Sequence, residues 1–231
     1  MGRLRERPVL LAPARPEDMD PVYRTDFYSR DPLRFFSPYG FEFLLPDPVC
    51  ESLVEASWKA GLDGSAEKAA RRLFNTWDKT FEKRRADFYL LKSSVLRYLE
   101  TGELLFADIL YRMSPAQRLS HLEKIKEYVT HNPGIRFILL DDDGLSPEVF
   151  PAFSAYLNPK KLFLKSPLAY RTGRGPLFYT VPSEALIQAA GSCLDSLKEK
   201  PGSSVYDHRN VAELESRYGM LRRTLTLSNE Q

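Results

Sequence analysis

The sequence predicts an α/β domain: a mixed, partly parallel sheet flanked by amphipathic helices and preceded by an arm rich in proline and aromatic residues. Three observations predict it. The run from Ile135 to Leu140 is apolar apart from Arg136 and ends in Asp141-Asp142-Asp143-Gly144, which fits a strand of a parallel sheet covered on both faces. Segments with apolar residues at 3.6-residue spacing lie before and after that run, so helices are available to cover it. The composition is globular, with 231 residues, 43% hydrophobic and 28% charged, which excludes a disordered or fibrous chain.

Taken in order, residues 1–40 carry prolines at 8, 13, 16, 21, 32 and 38, which bar long regular structure. Tyr23, Phe27, Tyr28, Phe35, Phe36 and Tyr39 are too many aromatics for a disordered tail, so an ordered, irregular arm is expected. Residues 41–231 are expected to form one α/β domain, with a helical segment (47–85), a sheet-containing part (86–182) and closing helices (183–223). Phe41 to Leu45 fits a short strand or an extended entry. Asp47 and Pro48 fit the start of a helix running to Gly61. From Ser65 to Arg85 an apolar face of Leu73, Phe74, Trp77 and Phe81 opposes a basic one of Lys68, Arg71, Arg72, Lys79 and Lys83.

Phe88 to Leu91 fits a strand or the first turn of a helix, and Ser93 or Ser94 is placed to cap a helix that Gly102 ends. Ser114-Pro115-Ala116-Gln117 is a capping-box pattern opening a helix that stops at Asn132-Pro133-Gly134. Strands are expected at 161–165 and 177–181, and Ser183 caps a helix carrying Leu186, Ile187, Ala190, Leu194 and Leu197. A last helix, from about His208 to Leu221, has Val211, Leu214, Tyr218 and Leu221 in a narrow seam suited to a second subunit or to the chain's own core.

Cys50 and Cys193 are the only two cysteines, and they lack disulfide-framework or metal spacing, so reduced, buried thiols are expected. No apolar run approaches the ~18 residues of a membrane span, and the apolar patch from Val9 to Ala12 is too short for a signal-peptide core. A cytoplasmic, soluble protein with no membrane partner is expected. The net charge of +2 supplies no whole-protein attraction for nucleic acid.

Chemistry could gather in three places. Asp141, Asp142 and Asp143 follow a buried strand, where open α/β sheets bind ligands, and carboxylates there suit Mg²⁺ or the hydroxyl and amine groups of a ligand. The stretch from Lys160 to Arg174 has no acidic residue, and its Gly173-Arg174-Gly175 turn could cradle an anion or simply join a hairpin. The basic face of the 65–85 helix, with Arg84 and Arg85 after it, could track phosphates or be a solvated face. His121, His131 and His208 show no metal-ligand spacing, and no GxSxG or GxxxxGK[ST] motif is present. No cofactor is implied.

The segments FYLLKSSVLRYLETGELLFADILYRMSPAQRLSHLEKIKEYV, IRFILLDDDGL and KKLFLKS resemble the C-terminal effector portions of bacterial helix-turn-helix transcription regulators. The resemblance covers about residues 65–225 and rests on overall texture, with no ligand-binding residue carried across. It implies a sensor domain that reaches DNA only through a domain absent from this chain, since no helix-turn-helix is evident within it.

The sequence therefore points first to a ligand-sensing or regulatory domain, binding a small molecule near the carboxyl ends of its strands through Asp141, Asp143, Arg171 and Arg174, with Tyr170 as an aromatic wall. A homodimer through the last helix is compatible with it. The alternatives are a Mg²⁺-dependent phosphoryl-transfer enzyme or nuclease using Asp141 and Asp143, and a protein-interaction module using the aromatic arm.

Overall fold

The structure, a computed structural model, describes residues 31–38, 41, 43–59, 84–106, 109–143, 154–166, 177–181, 183–213 and 216. Its elements are β1 (Leu33–Ser37), α1 (Asp47–Lys59), β2 (Ala86–Leu91), α2 (Lys92–Thr101), β3 (Glu103–Phe106), β4 (Ile109–Arg112), α3 (Pro115–His131), β5 (Ile135–Leu140), β6 (Ser154–Asn158), β7 (Lys161–Ser166), β8 (Leu177–Val181), α4 (Glu184–Lys198) and β9 (Ser204–Tyr206). The fold is α/β, as expected. One seven-stranded sheet runs in the order β8-β7-β6-β1-β2-β5-β9, and β3 and β4 form a separate hairpin.

The centre of the sheet is parallel and its flanks are antiparallel. β1 pairs with β2, and β2 with β5, in parallel, while β6, β7 and β8 fold back as a meander beside β1. β9 runs antiparallel along β5. The parallel strands carry the most continuously apolar stretches, since both of their faces are covered. One face holds Leu33, Phe35, Phe88, Leu90, Phe137 and Leu139, which share a core with Val49 of α1, Tyr98 of α2 and Ile125 and Val129 of α3. The other face holds Phe36, Tyr89, Leu91, Ile138 and Leu140 against Ile187 and Leu194 of α4.

Phenylalanine fills the first core. Phe35, Phe88 and Phe137 are register partners across β1, β2 and β5. Phe88 and Phe137 stack at 5.3 Å between ring centroids, and Phe43 stacks on Phe137 at 5.6 Å. Such pairs add ~0.5–1.5 kcal/mol each beyond their buried area.

Several expectations are met in detail. α3 opens with the full capping box: Ser114 Oγ accepts from the Gln117 amide, and Gln117 Oε1 accepts from the Ser114 amide. Gly102 ends α2 in the left-handed conformation at φ 72°, where a side chain would be strained. A Cβ there would also overlap the Met113 carbonyl. Ser183 caps α4 through the Leu186 amide, and β7 and β8 pair as a hairpin whose connecting residues lie outside the described ones.

Other expectations are corrected. Residues 33–37, assigned to an irregular arm, form a strand inside the sheet: the segment between Pro32 and Pro38 is just long enough for one. Phe35 and Phe36 are buried core residues, so they are not available to a partner; Tyr23, Phe27, Tyr28 and Tyr39 lie outside the described residues. Of the two alternatives for Phe41 to Leu45 the strand is corrected: Phe41, Phe43, Leu44 and Leu45 belong to no strand, and Leu44 turns the chain at φ 56°. Neither Ser93 nor Ser94 is the residue before α2; Leu91 is, and it caps nothing with its side chain. Cys193 is exposed on α4 and Cys50 half-buried, and neither is in a disulfide, so the expectation of two reduced, buried thiols is met in their reduction and in full burial for neither. Arg84, expected on a solvated basic face, is buried and donates from Nε to the Asp31 carbonyl at 2.7 Å. The helix expected over 65–85 otherwise lies outside the described residues. Among the described residues, no helix is long and apolar enough to cross a membrane.

Candidate functional site

Two places in the sheet gather charged side chains, one at each end of the parallel strands. At the carboxyl end, α2 begins directly after β2 and lays its first turn across the ends of β1 and β5. Ser94 Oγ donates to the Pro38 carbonyl at 2.5 Å. The Ser93 amide donates to Asp142 Oδ1 at 3.0 Å, and Ser93 Oγ donates to Asp142 Oδ2. Asp142 thus caps α2 from the neighbouring strand end, placing a carboxylate at the positive end of the helix dipole.

Asp141 and Asp143 face a different group. Lys92 Nζ lies 2.7 Å from Asp143 Oδ2 and 3.4 Å from Asp141 Oδ1. The hydrogen bond to Asp143 is the larger cause that raises the Lys92 pKa above its ordinary value, with Asp141 adding to it. The Asp141 amide donates to Ser203 Oγ at 3.3 Å, and that hydroxyl donates to the Leu197 carbonyl of α4. Gly202, at φ 90°, presses so close that a Cβ would overlap the Asp141 carboxylate. This end therefore links α2, β5 and the end of α4.

The structure brings Asp141 and Asp143 together, on one ammonium. Tyr170, Arg171 and Arg174 lie outside the described residues. As a Mg²⁺ centre the donor set is unsuitable, because the Lys92 cation sits where both carboxylates point. Among the described residues, no group of three or more His, Cys, Asp or Glu side chains could hold a metal ion.

The amino end holds what the sequence reading missed. Arg34, Asp87 and Arg136 are the second residues of β1, β2 and β5 and stand side by side in register on the α4 face. Arg136 grips Asp87 with both prongs of its guanidinium, Nε to Oδ1 at 2.6 Å and Nη2 to Oδ2 at 2.5 Å, the geometry that suits this pair best. Arg34 Nη1 donates to the Gly191 carbonyl at 3.0 Å and to Asp195 Oδ2 at 3.1 Å, both on α4. Tyr89, two residues along from Asp87, has its pKa pushed up to about 12, by burial first and then by the Asp87 charge.

Above this row is a cavity of about 390 Å³, lined by Arg34, Asp87, Arg136 and Arg85 together with Leu157, Ile187, Gly191 and the prolines at 32 and 159. Gly191 keeps it open on the α4 side: a Cβ there would come 3.3 Å from Arg34 Nη1 and 3.6 Å from Leu157 Cδ2. A signal for this row does exist in the sequence. The three strands read Leu-Arg-Phe-Phe, Ala-Asp-Phe-Tyr and Ile-Arg-Phe-Ile, each with one charged residue before a phenylalanine. Aligning them by that pattern gives the observed register.

Comparison with known proteins adds little to this geometry. No protein-family model matches the chain, and no curated protein matches it. A solved structure of TrmBL2, described as an archaeal chromatin protein with a novel mode of DNA binding, aligns at 10% identity and a TM-score of 0.36. The alignment covers 84% of this chain and 54% of that one, so the chain spans about half of that protein's length. A TM-score that low does not establish a shared fold, and the functional reading rests on the chain's own residues.

Proposed function

We propose that this chain is a ligand-sensing regulatory domain, of the kind its sequence resembles in bacterial transcription regulators. It binds a small molecule between its sheet and α4. The observation that carries this reading is the cavity of about 390 Å³ over the Arg34-Asp87-Arg136 row, a volume within the range of small-metabolite sites. α4 supports the regulatory half of the proposal. It is bonded to the cavity row through Gly191 and Asp195, and the turn after it meets Asp141, which shares Lys92 with Asp143 at the start of α2. A ligand that fits one position of α4 better than another shifts the population of both ends, by as much as its affinities differ.

A ligand place near the carboxyl ends, with Asp141, Asp143, Tyr170, Arg171 and Arg174, belongs to the same proposal, and two variants tell the places apart. Any DNA contact is assigned to a separate domain. Homodimerisation through the last helix would have to use Leu214, Tyr218 and Leu221, since Val211 is buried in the chain's own core.

The test is a thermal-shift panel of sugars, nucleosides, small acids and divalent metals. At a hundred times its dissociation constant a ligand adds about 2.7 kcal/mol. An organic hit lost in Gly191→Leu places the ligand under α4, and one lost in Asp141→Asn places it at the carboxyl end. Silence across the panel overturns the sensing reading. A shift that needs Mg²⁺ or Mn²⁺ and vanishes in Asp141→Asn would replace it with the metal-dependent enzyme.

A further inference from the structure

We propose that the cavity under α4 binds a small organic monoanion, a carboxylate carried on an apolar body, with Arg85 as its charged contact and Arg34 as the second. This deepens the ligand-sensing reading and rests on it for its purpose.

The charge balance of the cavity favours an anion. Three guanidinium groups line it, those of Arg34, Arg85 and Arg136, and two carboxylates answer them. Asp87 is fully engaged by the two-pronged grip of Arg136. Asp195 meets Arg34 through a single oxygen, in a pair whose side chains are 34% and 51% exposed, and a pair that open to water holds weakly. Arg85 is exposed, and no side-chain partner for it occurs among the described residues. Among the described residues one positive charge is left over, which matches one carboxylate and would repel a metal ion or an amine.

Shape and lining set the rest of the ligand. A guanidinium offers parallel N–H donors that suit a two-oxygen acceptor. Beside the charged row the walls are mostly apolar, from Leu33, Leu157, Ile187 and the prolines at 32 and 159, with Asn158 the polar exception. A wholly polar anion would leave those walls dry and unmatched, whereas an aryl or branched alkyl group covers them. The floor row is already internally bonded, so a ligand need not break the Arg136–Asp87 pair to enter. Arg34 is the group free to exchange: swinging from Asp195 to the ligand would release one of its two bonds to α4.

The experiment is titration calorimetry on the full chain with three probes: phenylacetate, its neutral amide phenylacetamide, and inorganic phosphate. Phenylacetate is expected to bind and the amide to bind at least tenfold more weakly. Loss of one charge-assisted hydrogen bond corresponds to roughly a 10- to 100-fold weakening, which is the effect expected for Arg85→Ala. That side chain is exposed, so the variant should keep the wild-type melting temperature. Arg34→Gln should weaken binding to a similar degree, and Gly191→Leu should abolish it.

Equal binding of acid and amide overturns the anion assignment, as does full affinity in Arg85→Ala. Binding of phosphate in preference to phenylacetate overturns the carboxylate class. If these acids fail while a neutral sugar or nucleoside raises the melting temperature, the anion assignment falls and the sensing reading stands; if nothing in the wider panel binds, both fall.

Discussion

His121 is fully buried between the Phe43 carbonyl, 2.9 Å from Nε2, and the Tyr98 hydroxyl, 2.6 Å from Nδ1. A carbonyl only accepts, so Nε2 carries the proton and Nδ1 takes the Tyr98 O–H. The neutral ring is thus the form this site holds, and burial lowers its pKa to about 4, with the Lys124 charge adding to that effect. In the unfolded chain the ring titrates near 6.5. The folded pKa is the depressed one, so the stabilisation is complete above about pH 6.5 and is lost as pH falls from there towards 4. We predict that urea unfolding shows a loss on the order of 3 kcal/mol over that window. His121→Leu should be less stable at pH 7 and nearly flat across the window. At this scale the sequence was legible for the caps of α3 and α4 but not for His121, whose partners come from residues 78 and 23 positions away. The Asp87–Arg136 pair was hidden in the same way, because its members look like lone interruptions of apolar runs until the strands are paired.

Among the elements, α2 and α3 show two ways of starting a helix. α3 carries its cap in its own sequence, so Ser114 to Gln117 could be identified before any fold was known. α2 takes its cap from Asp142, 49 residues away, and the serines that look like caps spend their hydroxyls on Asp142 and Pro38. Asp142→Ala is predicted to cost ~1 kcal/mol, as losing a helix cap does. Asp143→Ala removes only the exposed contact with Lys92 and should cost under ~0.5 kcal/mol. The difference is measurable as a shift in urea midpoint at unchanged slope. The elements that sequence patterning missed are β1, β6, β9 and the β3–β4 hairpin. β9 has three residues and β1 and β6 five, too few for a period of two to stand out. The hairpin joins its strands through Ala107 and Asp108, not through an Asn-Gly or Asp-Gly pair.

At the scale of the whole molecule, the described residues form a sheet between two unequal cores, and the larger one lies on the side of α1, α2 and α3. Phe88 sits at its centre with Phe35, Phe43 and Phe137 around it. Phe88→Ala is predicted to cost ~3–5 kcal/mol, a large share of the ~5–15 kcal/mol that holds a domain together. Its side chain points away from the Arg34-Asp87-Arg136 row, so a variant still folded in calorimetry should keep any ligand affinity the cavity has. The α/β class was legible because it depends on local pattern. The order of the strands was not, because β5 is followed in sequence by β6, three places away across the sheet.

The charged row has a consequence for how the chain finds its fold. β1, β2 and β5 are near-copies of one another, and parallel strands joined by long crossovers must discover their alignment without a tight turn to dictate it. Shifting β5 by two residues against β2 would still set aromatic and aliphatic side chains against their own kind. It would also bring Asp87 beside Ile138 and leave Arg136 facing Arg85, a bare carboxylate and two like charges beneath a helix. The row works as an alignment key: greasy strands that could settle into several offsets are left with one that neutralises its charges, and mispaired intermediates are thinned out before they become traps.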